Sequence, residues 1–193
     1  MNRTAIAGVL FVAGLLSCAA GANAQARQEV KYNMVPPQLT VSYQRSYEDY
    51  QFLEHDGTLR RIELNGVAAE YAYRRFYPVE IISRATYAAG NPLSQKLVTA
   101  SAGVGYSRDF AHRYDPFVRV TAGIARTTSG DMQYLYSDTR DGFALNIYGG
   151  LDVLVGQRWG VRAIEVQNQY LPYGVQGQGS VYWSVGAGAF FRF

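Results

Sequence analysis

The segment Phe143-Ala-Leu-Asn-Ile-Tyr-Gly-Gly-Leu-Asp-Val-Leu-Val155 decides how the chain is read. Phe143, Leu145, Ile147, Gly149, Leu151, Val153 and Val155 fall on one side of a two-residue period, and Asn146, Tyr148, Gly150 and Asp152 fall on the other. A strand sends successive side chains to opposite faces, whereas an amphipathic helix needs apolar residues three and four apart. The segment supplies the first pattern and not the second. It is therefore expected to be a strand with one oily face and one polar face.

The alternation repeats on both sides of this segment. Upstream, Leu39, Val41 and Tyr43 alternate with Thr40, Ser42 and Gln44, and Val67 to Tyr73 alternate with Glu70, Ala72 and Arg74. Val79 to Tyr87 oppose Glu80, Ile82, Arg84 and Thr86; Val98 to Tyr106 oppose Thr99, Ser101, Gly103 and Gly105; Val118 to Ile124 oppose Arg119, Thr121 and Gly123. Downstream, Ile164, Val166 and Tyr170 oppose Glu165, Gln167 and Gln169, and Val181 to Phe193 form a last strand. The connections fall into two length classes. Short ones run 75–78, 108–115 and 156–159; longer ones run 48–61, 89–94, 127–142 and 171–178. Short turns at one end and long loops at the other are the pattern of outer-membrane barrels, whose strand number is even.

Soluble barrels alternate too, so the polar face has to decide between water and lipid. That face carries Glu70, Arg74, Glu80, Arg84, Arg119, Asp152 and Glu165, of both signs, among small Gly, Ser and Thr. Lysine, common on water-facing surfaces, occurs only at positions 31 and 96. The charges are expected inside a narrow lumen, where eight strands leave little bore, and the oily faces outside against acyl chains. Tyr43, Tyr71, Tyr73, Tyr106, Trp159 and Tyr170 lie where interfacial girdles would sit. The fold expected is all-β, an eight-stranded antiparallel up-and-down transmembrane barrel over residues 38–193.

The N-terminus supports export. Arg3, the apolar run from Ala5 to Ala20 and the small residues Ala22-Asn23-Ala24 read as a cleaved signal peptide over 1–26, followed by a periplasmic segment over 27–37. Leu15-Leu16-Ser17-Cys18 resembles a lipobox and is the rival reading. With ordinary cleavage the only cysteine leaves with the signal, so no disulfide or thiolate metal site is expected. The net charge of +3 is dispersed without a basic run, which gives no nucleic-acid footprint.

The terminus Val185-Gly-Ala-Gly-Ala-Phe-Phe-Arg-Phe193 resembles the terminal-strand signature of outer-membrane proteins, carried by Val185, Ala187, Ala189, Phe191 and Phe193. The whole exported chain resembles small barrels of the OmpA and OmpX type, and 160–174 is similar to penultimate strands of outer membrane protein β-barrel domains. The resemblance implies Sec-pathway export, insertion by the barrel-assembly machinery, and a monomer surrounded by outer-membrane lipid and lipopolysaccharide. No enzyme, cofactor or metal chemistry is expected. His55 and His112, the only histidines, are assigned to opposite ends of the barrel, and no nucleotide-binding or G-x-S-x-G motif is present.

The function expected is structural, an envelope barrel plugged by paired charges. One alternative is an adhesin or binding protein acting through loops 48–61 and 127–142, since loops on a rigid scaffold carry recognition. A second is a narrow pore lined by the same charges. Gly103, Gly105, Gly186 and Gly188 are expected to mark places where the wall bends or crowds.

Overall fold

A computed structural model describes residues 35–53, 59–76, 78–90, 95–111, 113–130, 137–172 and 179–193. Segment 1–26, expected to be a signal peptide and holding Cys18, most of segment 27–37, His55 and His112 lie outside the described residues. Eight strands follow in order: β1 Gln38–Leu53, β2 Leu59–Phe76, β3 Val79–Gly90, β4 Gln95–Ser107, β5 Tyr114–Gly130, β6 Ser137–Leu154, β7 Trp159–Leu171 and β8 Ser180–Arg192. Each pairs antiparallel with its sequence neighbour, and β8 returns to pair with β1, closing the barrel. Closure matters physically, because an open edge would present unpaired amides and carbonyls that hydrocarbon cannot satisfy.

The register bears out the two faces. Glu70 stands opposite Arg84, and Thr121 opposite Asn146, all pointing into the lumen and buried. Val41, Val104, Val118, Ile124, Ile147 and Val185 point outward and are exposed, Ile124 to 70%. Each such side chain left in water would forgo roughly 1.5–3 kcal/mol of burial. An outside of this kind is stable against an apolar solvent, while the inside is where the ions are.

Strand lengths correct the expected loops. Segments 48–61 and 127–142 are mostly strand: β1 runs to Leu53 and β2 starts at Leu59, while Thr127↔Arg140 to Gly130↔Ser137 continue the β5–β6 ladder. The reason is chemical. Beyond Tyr43 and Ile124 the outward face turns polar, with Arg45 ion-paired to Glu63 and Arg126 to Asp141. The apolar-out signal stops there, but the backbone ladder does not need it. A membrane-crossing strand needs about 9–11 residues. At 18 residues each, β2 and β6 exceed that by about seven, roughly 24 Å along the strand at ~3.4 Å per residue. The hairpins β1–β2 and β5–β6 thus project beyond the apolar belt, whereas β3, β4, β7 and β8, at 12 or 13 residues, just cross it.

The inward glycines crowd the wall as expected. A Cβ at Gly103 would stand 2.0 Å from the Val120 carbonyl oxygen, and one at Gly105 would stand 2.7 Å from Cγ of Arg119. Absence of a side chain at these points lets adjacent strands bend tightly and leaves volume for the arginines.

Candidate functional site

The lumen is the only place among the described residues where charge is gathered and removed from water. All seven residues read from the sequence as lumen charges meet there. Glu70 on β2 is the hub: Arg84 Nη1 donates to its Oε2 at 3.0 Å, Arg162 Nη2 lies 2.9 Å from Oε1, and Arg119 Nη1 donates to the same Oε1. Arg119 also grips Glu80, Nη2 to Oε2 at 2.7 Å and Nε at 3.0 Å. Arg84 reaches Glu165 as well. Arg74 lies 2.6 Å from Glu80 through its Nε.

Three further charges complete the set. Arg162 donates to Asp152 from Nε at 2.8 Å and to Glu165 Oε2 from Nη1 at 2.6 Å. Asp115 takes bonds from Arg74 and, at 2.8 Å, from Arg192 Nη2. Sequence periodicity misses Arg162 because Ala163 is an extra residue in β7. Leu151 pairs with Ile164 and Asp152 with Arg162, so Ala163 is skipped, and Arg162 and Glu165 face inward three positions apart. Such a bulge inverts the two-residue count. Asp115 falls at the end of the turn expected over 108–115, yet the alternation Arg119, Phe117, Asp115 carries it inward at the start of β5. Arg192 follows in the same way from the inward row of β8.

Five arginines (74, 84, 119, 162 and 192) therefore face five carboxylates (70, 80, 115, 152 and 165), and the formal charges cancel. Neutral groups add further bonds: Gln38 Nε2 donates to Asp152 at 2.6 Å and its carbonyl accepts from Arg192 at 3.0 Å, while Gln44 donates to Glu165 at 2.5 Å. The guanidiniums also lie over aromatic rings. Arg119 and Arg162 lie 4.2 and 4.3 Å from the Phe117 ring centre, and Arg84 lies 4.3 Å from that of Tyr148. Arginine suits this role, since its planar fork bonds carboxylates on its edge and rings on its faces. Toward the projecting hairpins the filling changes to hydrocarbon, with Ile62, Leu64, Leu97, Leu171 and Tyr182 in one buried cluster.

On the outside, Tyr43, Tyr106, Trp159 and Tyr170 are exposed, and Tyr71 and Tyr73 point outward half-covered. The terminal signature residues Val185, Ala187, Ala189, Phe191 and Phe193 all sit on this outer face, and the Phe191 and Phe193 rings meet edge to face at 5.4 Å.

A closed eight-stranded antiparallel wall with apolar exterior and ionic interior has the fold of the small outer-membrane β-barrels. No family model and no curated protein sequence matches the chain. Among solved structures it is similar to Neisserial surface protein A, at 12% identity over 81% of this chain and 97% of that one, with a TM-score of 0.60. It is also similar to Ail, the attachment invasion locus protein of Yersinia pestis, at 16% identity over 81% of this chain and 99% of that one, with a TM-score of 0.51. At these identities the likeness is one of fold.

Proposed function

We propose that the chain is an integral outer-membrane barrel whose role is structural, holding the envelope together with a lumen sealed by ion pairs. The observation that carries this reading is the cancellation of five arginines by five carboxylates inside a wall whose outside is hydrocarbon. A conducting pore needs mobile water and unspent charge along its axis, and the lumen offers guanidiniums already bonded to carboxylates and rings. Planar-bilayer recording of the purified barrel tests the seal. The expected trace is flat at applied voltage, and sustained conductance steps would replace this reading with that of a narrow pore. The envelope role is tested in the native bacterium: loss of the chain should increase sensitivity to detergents and bulky hydrophobic antibiotics, and unchanged sensitivity removes it.

A second reading, binding at the cell surface, is supported by the two hairpins that project beyond the apolar belt on opposite sides of the barrel. A wall that only crossed the membrane would not need 18-residue strands. Replacing 49–60 and 127–140 by tight turns should abolish attachment to cells or matrix. Attachment that survives both replacements excludes the hairpins as the binding surface. Insertion by the barrel-assembly machinery through the Phe193 terminus, Sec-pathway export, and a monomer in contact with lipopolysaccharide belong to the same proposal.

A further inference from the structure

One buried charge stands outside the balance of the lumen. Glu48, at the outer end of the β1–β8 pairing, is 4% exposed, and no cation pairs with it among the described residues. It lies opposite Tyr182 across the β1–β8 seam and is hydrogen-bonded to Ser180 and Tyr182. The Tyr182 hydroxyl is also 3.1 Å from Nε2 of Gln95, which is 1% exposed.

The donor directions follow from valence. A carboxylate only accepts, so Tyr182 gives its proton to Glu48 and must itself accept from Gln95, which fixes the amide with nitrogen toward the hydroxyl. The atoms left over at this level are Oε2 of Glu48 and Oε1 of Gln95, two acceptors, and Nε2 of Gln169, a donor on the β7 residue opposite Tyr182; all are buried and without a hydrogen-bond partner. Both side chains end on one hydroxyl, so the two open acceptors belong to one locus. Hydrocarbon packs against one side of it: Tyr182 belongs to a single cluster with Ile62, Leu64, Leu97 and Leu171. A carboxylate in such surroundings is destabilising unless a positive, hydrogen-bonding partner joins it.

We propose that the outer half of the lumen binds a protonated primary amine, its ammonium group donating to Glu48 and Gln95 and its alkyl stem lying against Leu64, Leu97 and Leu171. A calcium or magnesium ion fits less well, because it requires six or more oxygens and the locus offers two open ones against aliphatic walls. The inference rests on the lumen geometry alone and is independent of conductance or attachment.

The test uses the whole barrel folded in detergent micelles. Its unfolding temperature is followed by circular dichroism as butylammonium chloride is added at constant ionic strength, with tetramethylammonium chloride and calcium chloride in parallel. Butylammonium should raise the unfolding temperature to a plateau, as a ligand of the folded state does. Tetramethylammonium, which has no N–H, should leave it unmoved, and Glu48→Gln should weaken the apparent affinity at least tenfold. Tyr182→Phe, which removes the hydroxyl that aims both acceptors, should weaken it too, and it serves where Glu48→Gln folds poorly. A response shared by tetramethylammonium, a response to calcium alone, a full response in either variant, or no response to butylammonium each overturns the assignment.

Discussion

Replacing Glu70 with glutamine is the sharpest perturbation of the plug. The side chain keeps its shape, but Arg84, Arg119 and Arg162 lose the carboxylate they share, and the balance shifts to five guanidiniums against four acids. Breaking a buried ion pair by removing one partner costs about 3–5 kcal/mol. Each of the three arginines retains another carboxylate, Glu165, Glu80 and Asp152 respectively, which places the expected loss at the lower end. About 3 kcal/mol is roughly a 150-fold change in the folding equilibrium. Glu63→Gln is the control. Its contact with Arg45 is 2.5 Å, as short as many in the lumen, but both side chains are about half exposed, and water screens such a surface pair until it contributes little. Urea unfolding of both variants in lipid vesicles, followed by tryptophan fluorescence, gives the two free energies. If Glu70→Gln falls within about 0.5 kcal/mol of Glu63→Gln, the lumen is hydrated enough to screen its charges and the sealed plug is refuted. The double variant Glu70→Gln/Arg84→Gln restores neutrality and should lose less than the sum of the singles, with a coupling of about 0.5–3 kcal/mol.

Other consequences follow from the wall. Gly103→Ala would push a methyl group to 2.0 Å from the Val120 carbonyl oxygen, forcing β4 and β5 apart, with an expected loss of about 1–3 kcal/mol in the same urea titration. Gly149→Ala, whose nearest atom is 3.0 Å away, should lose less, and equal losses would remove crowding as the reason for the glycines. Phe193→Ser, which takes away one ring of the edge-to-face pair at the terminus, should lower the amount of folded barrel in the outer membrane of the native host several-fold while refolding in detergent stays normal. Poor refolding in detergent as well would make Phe193 a packing residue and not an assembly signal.

How far the sequence discloses all this depends on which physical signal each residue sends. The apolar-out, polar-in alternation is imposed by lipid on one side and a narrow lumen on the other, so Val118 to Ile124 and Phe143 to Val155 place two strands correctly from their spelling alone. Glu70, Arg74, Glu80, Arg84, Arg119, Asp152 and Glu165 are legible for the same reason, since ions cannot face acyl chains. At Arg45 and Arg126 the outward face takes on charged residues, alternation loses its contrast, and the strand continuations to Leu53 and Gly130 read as loops. Arg162 is hidden more deeply: the extra Ala163 in β7 breaks the period, and only the pairing with β6 reveals that Arg162 and Glu165 share a face. Glu48 and its tie to Tyr182 depend on the β1–β8 seam, a contact between the two ends of the barrel sequence that no local pattern records.

The central claim is that the oily outside of this wall meets lipid. The two tryptophans, Trp159 and Trp183, both project from the outer face, 53% and 50% exposed, toward opposite ends of the barrel. Their fluorescence in vesicles of lipid brominated on the acyl chains, set against acrylamide added to the water, measures what they touch. Strong quenching by the brominated lipid with weak quenching by acrylamide is the expected result. Undiminished fluorescence in brominated bilayers together with ready quenching by acrylamide would contradict it.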